Sequence, residues 1–90
     1  MTSRERVEDI EQLVSRSGAG PDDSALRTIR AHVFALRAEI TGGPARAKLA
    51  GIESWVDIYF SYRKHQKYPG GGDQVATWIL ADCKVVKDSL

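Results

Sequence analysis

Three glycine- or proline-rich interruptions, Gly18 to Asp23 (GAGPDD), Gly42 to Pro44 (GGP) and Tyr68 to Asp73 (YPGGGD), cut a chain of 90 residues into four segments. Each segment has room for a helix of several turns, and none is long enough to bury a core of its own. The four must therefore share one core, which makes residues 1–90 a single helical domain. With 42% of residues hydrophobic and 28% charged, the chain has the composition of an ordinary globular protein. That composition excludes a disordered or collagen-like chain.

Within each segment the apolar residues recur at helical spacing, and none shows the alternation of a half-buried strand. The first reads as a helix over about residues 3–17: Thr2 and Glu5 fit a capping box, Val7, Ile10, Leu13 and Val14 form a stripe, and Gly18 suits the position past a C-terminus. The second runs over about 24–41 from an N-cap at Asp23 or Ser24, with Leu26, Ile29, Val33, Leu36 and Ile40 at alternating steps of three and four. Pro44 suits a first helical position and opens the third, about 44–66. Asp73 as N-cap opens the fourth, about 73–88, whose stripe is Val75, Trp78, Ile79, Cys83 and Val86. The fold class predicted is all-α, an up-down four-helix bundle with short connections.

Three features do not close on a simple bundle. Phe34 projects roughly 130° from the centre of the helix 2 stripe, beside Ala31 and Ala38. On helix 3, Leu49, Ile52, Val56, Tyr59 and Phe60 form one stripe, which Ala47, Gly51, Trp55, Ile58 and Tyr62 extend to an apolar arc of roughly 220°. Glu53, Asp57, Ser61 and Lys64 are left for water. Gly51 costs about 1 kcal/mol in a helix interior unless close approach of another helix uses its space. Phe34 and the group Ala47, Gly51, Trp55, Ile58 and Tyr62 are therefore the candidate interaction residues, and they predict a homodimer or another protein as partner. The third feature is Asp82, which lies on the apolar stripe of helix 4 and needs a partner there.

Signals for chemistry are sparse. His32 and His65 lie on different helices and Cys83 is the one cysteine, so no metal site, cofactor or catalytic residue is predicted. Cys83 on a core-facing stripe reads as packing rather than as a nucleophile. Gly70-Gly71-Gly72 lacks the spacing of a phosphate loop, and no strand precedes it. A small enzyme would have to build its pocket near Asp82 and Tyr59, with Tyr62 or His32, which is the least favoured reading.

Charge is balanced overall, 13 Lys and Arg against 12 Asp and Glu, but residues 24–67 carry a local excess of +5. Arg27, Arg30, Arg37, Arg63, Lys64 and Lys67 form the alternative reading, a nucleic-acid or polyanion surface on helices 2 and 3, with Tyr62 and Tyr68 interleaved for stacking. It is not favoured, since cations at the end of helix 3 also complement the helix dipole. A single cysteine, a charged start and no long apolar run predict a cytoplasmic chain with no membrane partner. The leading expectation is a small protein–protein interaction module, a regulator, adaptor or accessory subunit that self-associates through helices 2 and 3.

Overall fold

The computed structural model describes residues 1–15, 23–65 and 71–90, with side chains described for all of these except 60–65 and 71–73. It is an all-α bundle of α1 (Ser3–Ser15), α2 (Asp23–Glu39), α3 (Gly43–His65) and α4 (Gly71–Asp88). Among the described residues there is no strand.

Cross-helix pairs give the topology. Ser3 reaches Glu39 while Asp9 reaches His32, so α1 and α2 run antiparallel. Arg30 pairs with Asp57 and Arg37 with Glu53, which sets α2 antiparallel to α3. Gly51 meets Asp82 and Trp55 meets Trp78, which does the same for α3 and α4. Lys87 on α4 closes the ring on Glu11 of α1. Each helix packs on its two neighbours in this ring, and α3 with α4 make the most extensive contact. Among the described residues, the backbones of the diagonal pairs α1–α3 and α2–α4 make no close approach.

One core runs through all four helices. Val7, Ile10 and Val14 of α1 meet Leu26, Ile29, Val33 and Leu36 of α2, Leu49, Ile52, Val56 and Tyr59 of α3, and Val75, Ile79, Cys83 and Val86 of α4. These are positions of the predicted stripes, because burial of one face is what spaces the apolar residues at 3.6. Of the others expected there, Leu13 and Ile40 are partly buried at the edge of the core, Trp78 stacks on Trp55 instead, and the side chain of Phe60 lies outside the described residues. The wide arc of α3 follows from its place in the ring: its stripe faces the core while Trp55 and Ile58, partly buried, pack against that core from the side.

The helix ends depart from the sequence reading by a few residues. Thr2 and Glu5 do form the capping box: the Thr2 N–H donates to Glu5 Oε1 at 2.9 Å and the Glu5 N–H to Thr2 Oγ1 at 3.1 Å. Residues 16 and 17, expected at the end of helix 1, lie outside the described residues, as does most of the first interruption. The second helix stops at Glu39 rather than Thr41. There the Ile40 N–H still bonds the Leu36 carbonyl at 2.8 Å, but the Arg46 guanidinium takes the carbonyls of Arg37 and Ile40, which ends the ladder from outside. Gly43 then turns the chain with φ of 79°, a left-handed conformation that favours glycine, and Pro44 follows as the first residue with helical φ. The fourth helix starts at Gly71, two residues before the expected N-cap, and Asp73 falls inside its first turn. The first-turn N–H groups have no intrahelical partner in any helix, so glycines there cost only backbone entropy.

Candidate functional site

The outer face of α2 and α3 is where the surface is least explained by folding. Phe34 is 80% exposed. It borders a shallow pocket of about 130 Å³ lined by Arg30, Val33, Phe34, Arg37 and Glu53. Val33 is buried and supplies an apolar floor, while Arg30 and Arg37 stand about one turn to either side of Phe34. Both cations have partners: Arg30 Nη1 lies 2.8 Å from Asp57 Oδ1, and Arg37 Nη1 lies 2.8 Å from Glu53 Oε2. The patch thus presents one large apolar side chain within a border of alternating sign.

Those two acids, read from the sequence as solvated, are part of the site. A signal for Asp57 exists: in a helical hairpin, residues equidistant from the turn face one another, and Arg30 and Asp57 are nearly equidistant from Gly43.

The other flank of α3 faces α4. A Cβ on Gly51 would sit 2.7 Å from Asp82 Oδ2. The close approach that this glycine permits is therefore already used within the chain. Asp82, 13% exposed, also has Lys48 Nζ at 3.6 Å from Oδ1. Trp55 stacks on Trp78 with ring centroids 4.4 Å apart and planes tilted by 32°. Ala47 is exposed, Ile58 is half-buried against the core, and the side chain of Tyr62 lies outside the described residues. Since Glu53 and Asp57 of α3 face α2 while Gly51 and Trp55 face α4, Phe34 and Gly51 lie beside opposite flanks of α3. They do not form one surface.

The polyanion candidates are similarly divided. Arg27 is exposed, Arg30 and Arg37 are ion-paired as above, the side chains of Arg63, Lys64 and His65 lie outside the described residues, and so does Lys67 altogether.

His32 and Cys83 are both held within the fold. His32, 8% exposed, sits between α1 and α2 with Nε2 2.6 Å from Asp9 Oδ2 and Nδ1 3.4 Å from Arg6 Nη1. Arg6 can only donate, so Nδ1 accepts and Nε2 carries the proton given to Asp9. Both ring nitrogens are engaged within the chain. Arg6 Nε makes no hydrogen bond, with Glu39 Oε1 at 3.7 Å, and Ser3 Oγ donates to Glu39 Oε2. Arg6, Asp9 and Glu39 escape a sequence reading because each looks like an ordinary solvated position on its own helix.

Cys83 is fully buried, and its thiol is pushed up to about 12, by burial first and then by the nearby Glu11 and Asp82 carboxylates. It is a packing residue at neutral pH. Tyr59 is 1% exposed in the core and lies about 12 Å along α3 from the Gly51 that Asp82 touches, so the two residues of the enzyme reading are not brought together. No group of three or more metal-ligating side chains occurs among the described residues, and no helix is long and apolar enough to cross a membrane.

No family model, curated protein or solved structure matches this chain.

Proposed function

We propose that this chain is a small helical protein–protein interaction module that acts by binding, as a regulator, adaptor or accessory subunit, and that associates with itself through the outer face of α2 and α3. The observation that carries this reading is Phe34, 80% exposed at the edge of a pocket whose floor is Val33. A large aromatic side chain gains most by leaving water, and a central apolar anchor within a polar rim is the usual anatomy of a binding patch.

The charge pattern favours a protein partner over a polyanion. Glu53 and Asp57 hold Arg37 and Arg30, so a phosphate backbone approaching this face meets two carboxylates for two guanidinium groups. A second copy meets a face with both signs, which can pair with itself.

Sedimentation equilibrium at tens of micromolar tests the reading. The expected result is a mass above the monomer for the natural chain and a monomer for Phe34→Ser, with helical content unchanged because Phe34 makes little contact with the core. A monomer at every concentration rules out self-association, and salt-dependent binding of mixed-sequence nucleic acid would put the polyanion reading in its place.

A further inference from the structure

Resting on the self-association reading, the spacing on α2 goes further and specifies how two copies would meet. Arg27, Ala31, Phe34 and Ala38 recur at steps of four, three and four, the spacing of the seam residues in a two-helix coiled coil. All four are exposed, on the side of α2 opposite its buried stripe of Leu26, Ile29, Val33 and Leu36. Phe34 is a knob, and the alanines about one turn to either side of it leave room for a ring that arrives from outside. Knob and hollow stand on the same helix. Such a surface is complementary to itself, which is the requirement of a two-fold interface.

We propose that the occupant of this face is a second copy of the chain, with the two α2 helices antiparallel and each Phe34 seated over Ala31 of the other copy. Charge disfavours the parallel alternative. A parallel pairing would set Arg27 against Arg27 and Phe34 against Phe34. The antiparallel register with Phe34 over Ala31 sets Arg27 against Ala38 instead, so no like charges face one another along the seam. On the α3 side of the seam, Arg30 and Arg37 are already balanced by Asp57 and Glu53, and two such faces meet without net repulsion.

Ala38 provides the test, because it is exposed, its replacement leaves the core untouched, and this register places it beside Arg27 of the other copy. Ala38→Glu should tighten dimerisation about fivefold, since the two-fold axis creates two exposed Glu–Arg27 pairs, and Ala38→Lys should weaken it by at least as much. Adding Arg27→Gln to Ala38→Glu should abolish the gain. Sedimentation titrations of the four chains measure this. If the natural chain associates through Phe34 but Ala38→Glu does not tighten it, or Ala38→Lys is as tight as Ala38→Glu, the antiparallel seam is overturned while self-association stands. If the natural chain shows no association, the underlying reading fails and takes the seam with it.

Discussion

Gly51 and Asp82 each look like a defect alone: a glycine in mid-helix costs about 1 kcal/mol against alanine, and a carboxylate with only 13% exposure needs a partner. Together they account for one another, since the missing Cβ is the space that the Asp82 carboxylate occupies. Gly51→Ala should therefore fail to deliver the gain of about 1 kcal/mol that the same change brings in an open helix. In an Asp82→Ala background that gain should return. Urea denaturation of the four proteins of this cycle decides it, and a stabilising Gly51→Ala in the natural background would refute the contact. Gly51→Leu, for the same reason, should destabilise the fold itself and is a poor probe of any interface. Cys83 supplies a second residue-scale expectation. Its thiol is raised from an ordinary 9.0 to about 12, so the unfolded chain releases this proton before the folded one does. The stabilisation is complete below about pH 9 and is lost as pH rises toward 12, with a slope approaching about 1.4 kcal/mol per pH unit from this group. Denaturant midpoints measured from pH 8 upward should fall less steeply in Cys83→Ala than in the natural chain, and parallel curves would remove Cys83 as the cause. The anomaly of each residue was legible in the sequence. Its resolution was not, because Asp82 and Gly51 lie on different helices and their pairing depends on the register of α3 against α4.

Helix by helix, the stripes of Val7–Ile10–Val14, Leu26–Ile29–Val33–Leu36 and Val75–Ile79–Cys83–Val86 could be read directly, because burying one face imposes a period that any stretch of sequence displays. Helix ends were less legible where the capping group came from elsewhere: α2 stops where Arg46 of the next helix takes its last carbonyls. The N-terminus of α1 is the local case, since Thr2 and Glu5 are three residues apart and satisfy one another. Thr2→Ala should cost about 1 kcal/mol as the loss of an N-cap. The Glu5 carboxyl is held below its ordinary value of 4.5, first by the hydrogen bond from the Thr2 backbone N–H and then by the Thr2 side chain. A lowered carboxylate stabilises the fold fully above the unfolded value and ceases to do so as pH falls through the folded one. The difference in stability between the natural chain and Glu5→Ala should accordingly be constant near neutrality and shrink below about pH 4.5. A difference that persists unchanged at pH 2 would mean that the capping box does not carry the effect.

For the molecule as a whole, the ring of four helices sorts the surface into flanks with different histories. The α3–α4 flank is closed internally by Asp82 on Gly51 and by the two stacked tryptophans, whereas the outer side of α2 leaves Phe34 80% exposed among the described residues. This division sets the expected response to salt. Binding of a polyanion releases counterions, so its affinity falls steeply with ionic strength, while an apolar contact keeps its affinity. Within the described residues, two of the basic candidates are engaged by carboxylates at 2.8 Å, and the chain carries only +1 overall. Mixed-sequence DNA or RNA should therefore give no anisotropy change at about 150 mM salt, near physiological ionic strength. Self-association should change only a few-fold between about 50 and 500 mM salt, because the proposed seam centres on Phe34 over alanine and opposes no like charges along it. Charge reversal at Arg63 and Lys64 separates the two outcomes further. If those residues track phosphates, the reversal lowers the salt slope of nucleic-acid binding; if they only complement the C-terminal end of the α3 dipole, it costs from a few tenths to about 1 kcal/mol of stability and leaves association untouched. A steep salt slope for nucleic acid that flattens in the double variant would move the functional surface from Phe34 to the end of α3.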